Sequence, residues 1–79
     1  MYYKVYLVDE NTKQKEFAYY LKAKDDKTAR LYCESDYGVL DFETMNKHLI
    51  CKPVNKSYSE SLLENSYRDF REKYKAFQM

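Results

Sequence analysis

Two segments near the start of the chain alternate apolar and polar side chains, and they constrain the fold more than any other feature. Residues 2–9 read YYKVYLVD and residues 15–23 read KEFAYYLKA, with the polar stretch ENTKQ between them. A period of two in aromatic and β-branched residues is typical of strands. Because a polar connection of about five residues suits a hairpin, the sequence predicts an antiparallel hairpin here.

The apolar positions also predict how these strands pair, since register is set by the match of apolar faces. Pairing Asp9 with Lys15 brings two apolar rows together. These rows are Tyr3, Val5 and Leu7 on the first strand and Phe17, Tyr19 and Leu21 on the second. We therefore expect these six side chains to face the core.

A short helix is predicted within residues 23–38, AKDDKTARLYCESDYG. Asp25 or Asp26 is suited to cap its first turn, and Gly38 is suited to end it in the left-handed conformation. One side of this helix, at helical spacing, carries Ala29, Tyr32 and Cys33.

The following stretch predicts a second hairpin, with strands at 39–44 and 48–53 and a turn near Asn46. Its inward residues are expected to be Leu40, Phe42, Leu49 and Cys51, with Asp41 beside Lys52 on the outside. A helical turn at residues 44–50 is the alternative interpretation.

A second helix of about 20 residues is predicted from Ser57 onward. The stretch SYSE fits a capping box formed by Ser57 and Glu60. An apolar stripe then recurs at steps of four and three residues, through Leu63, Tyr67, Phe70, Tyr74 and Phe77. This stripe predicts packing on the sheet, with a short coiled-coil seam as the alternative.

Together these elements predict one small α+β domain spanning residues 1–79. Its two hairpins form a small antiparallel sheet in the order ββαββα, with both helices packed on one face. The expected core consists of Val5, Leu7, Phe17, Leu21, Leu31 or Tyr32, Phe42, Leu49, Leu63, Tyr67 and Phe70.

The sequence carries no catalytic signature, so we expect a chain that is not an enzyme and has no cofactor. One glycine in 79 residues excludes a glycine-rich phosphate loop. His48 and Cys51 form one loose pair, and Cys33 is distant in sequence, whereas structural zinc needs four ligands. We therefore expect no metal, and we interpret the cysteines as core residues and His48 as a surface residue.

Bulk properties favour a soluble, cytoplasmic setting. The net charge is +1, and it is spread evenly along the chain, so no charged arm dominates. Two cysteines are too few for a disulfide scaffold, and the sequence lacks both an apolar signal segment and a run long enough to cross a bilayer. We expect no membrane association.

The hairpin predicts one candidate binding surface, which we call the Tyr/Lys patch. It consists of Tyr2, Lys4, Tyr6, Tyr20 and Lys22, which share the strand face opposite the predicted core. Tyrosine is enriched where proteins bind proteins, and aromatic rings among lysines also suit single-stranded nucleic acid. A solvated face with no partner is the structural alternative.

Ten tyrosines give the chain a composition similar to that of small accessory proteins from AT-rich bacteria and their phages. The leading hypothesis is therefore a non-enzymatic protein-binding module, a phage or mobile-element inhibitor that blocks a host protein such as a defence nuclease. A nucleic-acid-binding module that uses the Tyr/Lys patch is the alternative. Tyr74 and Phe77, at the end of the second helix, are candidate contacts for a partner or for a weak homodimer, although a monomer is equally compatible with the sequence.

Overall fold

The computed structural model describes the backbone of residues 1–40 and 46–75 and the side chains of residues 1–33 and 46–73. It contains a three-stranded antiparallel sheet and two helices, which confirms the predicted small α+β class. The elements are β1 (Tyr2–Asp9), β2 (Lys15–Lys22), α1 (Asp26–Leu40), β3 (Lys47–Val54) and α2 (Glu60–Lys75). The strand order is β2-β1-β3, so β1 is central.

The order of the described elements is ββαβα, with three strands in place of the predicted four. Residues 39 and 40 belong to α1, which continues through Gly38 instead of ending there. The rest of the predicted strand at 39–44, with Asp41 and Phe42, lies outside the described residues. The other predicted strand is present as β3, but it pairs with β1, so that Lys52 lies opposite Lys4.

The pairing of β1 with β2 follows the predicted register for half its length. Val5 lies opposite Tyr19 as predicted, whereas Tyr6 lies opposite Phe17. A β-bulge at Ala18 inserts one residue between these pairs. Because side chains alternate between faces, Phe17 moves to the opposite face and is 44% exposed. Its predicted place in the core is therefore wrong.

One hydrophobic cluster joins all three strands and both helices. Its buried members are Val5, Leu7, Ala18, Tyr19, Leu49, Cys33 of α1 and Phe70 of α2. Tyr19 lies among aromatic side chains of α2, with ring centroids 4.9 Å from Tyr67 and 5.1 Å from Phe70. A smaller cluster joins Tyr3, Ala23 and Ala29.

The predicted core is confirmed at several positions of the strands and α2, and it is wrong in α1. The confirmed members are buried or pack against the buried cluster: Val5, Leu7, Leu21, Leu49, Tyr67 and Phe70. Leu31 and Tyr32 are 53% and 51% exposed. Ala29 and Cys33 are buried instead, since small side chains let a helix approach a sheet closely.

Side-chain caps begin both helices. Thr28 N–H donates to Asp25 Oδ1 over 2.8 Å, which confirms Asp25 as a cap and lowers the pKa of its carboxyl group. In α2 the cap is Ser59, whose Oγ accepts from Leu62 N–H over 3.2 Å. The predicted capping box starting at Ser57 is therefore wrong, and α2 begins two residues later than that box implies.

Candidate binding face

The sheet has a second face, opposite the one that carries Tyr3, Val5 and Leu7, and we call it the outer face. Directly paired residues of antiparallel strands project to the same side, so the register defines its members. Each strand contributes four positions: Tyr2, Lys4, Tyr6 and Val8 from β1, Lys15, Phe17, Tyr20 and Lys22 from β2, and His48, Ile50, Lys52 and Val54 from β3.

The outer face carries positive charge without carboxylates at its strand positions. Four of these positions are lysines and none is Asp or Glu, although the whole chain has a net charge of only +1. At the rim of this face, Glu10 Oε1 lies 3.3 Å from His48 Nδ1. The even charge distribution along the sequence therefore becomes uneven in space, because strand pairing and the register shift bring four lysines onto one face.

Two further lysines project to this face from the two edge strands, at positions four residues apart along β1. Lys15 of β2 lies opposite Val8, and Lys52 of β3 lies opposite Lys4. Lys52 lowers the pKa of Lys15, because its ammonium can donate to the neutral Lys15 amine and repels the charged form. Val8 is only 7% exposed although it lies on the outer face, which is consistent with long side chains that lie over it.

Aromatic rings form a continuous row beside these lysines. Tyr6 and Phe17 meet edge-on with ring centroids 6.3 Å apart, and Phe17 lies 4.8 Å from Tyr20. Phe17 reaches this row only because of the bulge at Ala18. The bulge therefore places Phe17, which was predicted for the core, on the outer face, where it is the most exposed ring.

At one end of the row, the tyrosines are covered by the segment that leads into α2. Tyr58 packs on Tyr20 with ring centroids 4.3 Å apart and on Tyr2 at 5.8 Å. Lys22 places its Nζ 5.7 Å from the centroid of the Tyr2 ring, a cation–π contact. This end is packed internally, so the open end lies around Tyr6 and Phe17.

The structure brings the five residues of the Tyr/Lys patch onto one face, and beside them it places two further lysines and two further benzene rings. The added residues are Lys15, Phe17, Lys52 and Tyr58. Lys52 required the correct pairing of β3 with β1, whereas Lys15 and Phe17 required the bulge, which moves both to the outer face. The side chain of Tyr74 and all of Phe77 lie outside the described residues.

Among the described residues, no three His, Cys, Asp or Glu side chains come together as a metal site, and no helix is long and apolar enough to cross a membrane. No protein-family model matches the chain, and neither the curated proteins nor the solved structures include a significant match. The geometry of the outer face is therefore the basis for assigning a function.

Proposed function

We propose that this chain is a non-enzymatic binding module whose outer face binds single-stranded nucleic acid. One observation carries the proposal: the outer face combines four lysines with a row of aromatic rings, and none of its strand positions is a carboxylate. Single strands are bound by basic side chains that hold phosphates and by rings on which unpaired bases stack. Both chemistries are present on one surface.

The composition of this face favours a nucleic acid over a protein partner. Protein interfaces are enriched in Tyr and Arg but depleted in Lys relative to the rest of the surface. All four cationic residues with permanent charge on the outer face are lysines and none is arginine. A duplex is a poorer fit than a single strand, because its bases already stack on each other and offer no free ring face.

The proposal includes the predicted arrangement of both helices on the opposite face. Its support is that Cys33 of α1 and Phe70 of α2 pack in the same cluster as Val5 and Leu7. With the helices on that side, the open end of the outer face remains accessible to a partner.

The test is fluorescence anisotropy with labelled oligonucleotides, single- and double-stranded, over a range of salt concentrations. We expect the single strand to bind more tightly than the duplex, with affinity that falls as salt rises. The double variant Lys4→Glu and Lys22→Glu should weaken binding at least tenfold. Its matched control is Lys27→Glu with Arg30→Glu, which changes net charge equally on exposed positions of α1 and should bind nearly as well as the parent.

No binding of single strands at low salt, or equal losses in the two double variants, would contradict the proposal. Circular dichroism of each variant establishes that a loss of affinity does not come from unfolding.

A protein partner is the second candidate, and the exposed Phe17 ring is the observation that favours it. In this candidate function, which the composition suggests, the chain inhibits a host protein by covering part of that protein's surface. The two candidates differ in salt response, because burial of Phe17 and Tyr6 depends little on ionic strength. Failure of every oligonucleotide, with salt-insensitive capture of a protein that is lost in Phe17→Ser, favours this candidate.

A further inference from the structure

We propose that a cleft between β2 and α2, which we call the β2–α2 cleft, binds one guanine base of the single strand. Its lining includes Phe17, Leu62, Asn65 and Asp69, and its volume is about 340 Å³. The inference rests on the proposed function, since the base belongs to the bound strand. It goes further by naming the base and the side chains that recognise it.

The cleft adjoins the outer face through Phe17. This ring belongs to the aromatic row, where it contacts Tyr6 and Tyr20, and it also lines the cleft. Phe17 is 44% exposed, and Leu62, on the α2 side of the cleft, is 41% exposed. Unpaired bases stack on exposed aromatic rings of this kind. A base that leaves the outer face at Phe17 therefore enters a space with apolar side chains from both elements.

Two contacts between β2 and α2 hold the walls of the cleft together. Lys73 Nζ donates to Glu16 Oε1, and Tyr20 N–H donates to Ser66 Oγ over 3.1 Å. Glu16, Ser66 and Lys73 all line the cleft. Its volume lies at the small end of the range of about 300–1,000 Å³ that is typical of ligand sites. Because the walls are already joined to each other, little ordering of the protein opposes the binding of a base.

The polar part of the lining comes from one face of α2. Leu62, Asn65 and Asp69 follow each other at steps of three and four residues, so they share that face. Asp69 forms no ion pair within the described part of the chain, so its carboxylate is open to donors of a ligand. Asn65 Oδ1 accepts from Arg68 Nη2 over 3.0 Å, which leaves the amide N–H groups of Asn65 to donate.

These two side chains match the Watson–Crick edge of guanine in hydrogen-bonding character and in charge. Guanine presents two adjacent donors, N1–H and the N2 amino group, beside the acceptor O6. A carboxylate accepts from both donors, and an amide N–H donates to O6. Adenine and cytosine offer the carboxylate one amino group beside a ring nitrogen that repels it. Since a carboxylate also repels phosphates, Asp69 is suited to contact a base and not the backbone of the strand.

The test is fluorescence anisotropy with oligothymidine strands that carry one central guanine, hypoxanthine or adenine. We expect the guanine strand to bind roughly tenfold more tightly than the adenine strand, as is typical of one bidentate contact. Hypoxanthine lacks the N2 amino group, so its strand should bind with intermediate affinity.

Asp69→Asn distinguishes base recognition from general electrostatics, because the two predict changes of opposite sign. Loss of a negative charge should tighten the binding of every strand slightly, whereas loss of the carboxylate acceptor should weaken the guanine strand. We expect Asp69→Asn to remove the guanine preference. Its matched control is Glu72→Gln, at an exposed position of α2 outside the cleft lining, which should keep that preference. An equal guanine preference in the parent and in Asp69→Asn would contradict the assignment.

A second measurement uses guanosine, which has no phosphate, as the probe and follows the Phe17 ring and the Leu62 methyl groups by NMR. We expect guanosine to shift these signals in the parent and in Glu72→Gln, and to shift them much less in Asp69→Asn. Adenosine should shift them little in all three proteins.

The two measurements separate failure of this inference from failure of the proposed function. If no oligonucleotide binds but guanosine shifts the signals of Phe17 and Leu62, the guanine site stands and the single-strand proposal fails. If the strands bind without a base preference and guanosine leaves these signals unchanged, the guanine site is wrong and the broader proposal survives.

Discussion

The ring and the hydroxyl group of Tyr58 differ in how well the structure accommodates them. Its ring covers Tyr20 and Tyr2, whereas its buried hydroxyl oxygen has no hydrogen-bond partner among the described residues. Tyr3 is the opposite case: it is fully buried, and its hydroxyl donates to Asp26 Oδ1 over 2.8 Å. Burial and this hydrogen bond raise the pKa of Tyr3 to about 12, so its phenol stays protonated at neutral pH.

Removal of the two hydroxyl groups should therefore have opposite consequences. We expect Tyr58→Phe to leave the free energy of unfolding unchanged or to raise it by up to about 1 kcal/mol, because a buried unpaired hydroxyl is costly. Tyr3→Phe should lower it, since Asp26 loses its partner. Urea denaturation of both variants checks this pair. A clear loss of stability in Tyr58→Phe would show that its hydroxyl is satisfied in solution.

The adjacent tyrosines Tyr2-Tyr3 and Tyr19-Tyr20 show how much the sequence reveals about single residues. Alternation correctly separated Tyr3 and Tyr19, which are buried, from Tyr2 and Tyr20 on the other face. It did not reveal that Tyr2 and Tyr20 are partly covered by Tyr58. That contact joins residues far apart in sequence, and no local periodicity encodes it.

At the scale of elements, α2 supports the exposed edge of β2. Ser66 Oγ accepts from Tyr20 N–H over 3.1 Å and donates to Leu63 C=O over 3.0 Å. Tyr20 lies on an edge strand, so its backbone N–H would otherwise lack a partner in the sheet. One serine therefore links helix and strand at the edge of the described sheet.

Ser66→Ala should destabilise the fold by about 1 kcal/mol, because it leaves a partly buried backbone donor unpaired. Hydrogen exchange of the Tyr20 amide should accelerate more than that of neighbouring core amides. Ser61→Ala, an exposed position on the same helix, is the matched control and should change neither quantity appreciably. Unchanged protection of the Tyr20 amide in Ser66→Ala would contradict the role assigned to Ser66.

Elements with strong local patterns were the predictable ones. β1 and β2 follow from alternation, and α2 follows from its apolar stripe. The bulge at Ala18 was not predictable, because KEFAYYLKA is equally compatible with an unbroken strand. The pairing of β3 with β1 was missed since proximity in sequence favoured a local hairpin, and strand order depends on long-range packing.

The whole molecule depends on one cluster that includes both helices, and we expect it to unfold as one unit. Phe70 joins the last described element, α2, to this cluster, and its side chain is only 4% exposed. A chain of this length has a total stability of roughly 4–12 kcal/mol, at about 0.05–0.15 kcal/mol per residue. Loss of one large core side chain is therefore a considerable fraction of the total.

Phe70→Ala should lower the free energy of unfolding by about 3–5 kcal/mol, whereas Phe17→Ala should cost less than half as much. The same atoms are removed in both variants, but Phe17 is 44% exposed on the outer face. Thermal and urea denaturation followed by circular dichroism measure the two costs. Equal losses would indicate that Phe17 is buried in solution and that the bulge is absent.

The candidate site was only partly predictable from sequence, because part of it depends on how the whole sheet assembles. The Tyr/Lys patch follows from one hairpin, so sequence alone identified its five residues. The charge of the outer face arises only when the three strands lie side by side and bring Lys15 and Lys52 to the face that carries Lys4. Net charge and its distribution along the chain do not contain this information.

The bulge at Ala18 also has a consequence for how this sequence can vary in evolution. Removal of that residue would leave Val5 opposite Tyr19 and Tyr6 opposite Phe17, because the extra residue has no partner on β1. A one-codon deletion at this position is therefore compatible with the same strand register and the same exposed ring. Homologous chains that share this fold are expected to differ by a single-residue gap here more readily than elsewhere in the hairpin.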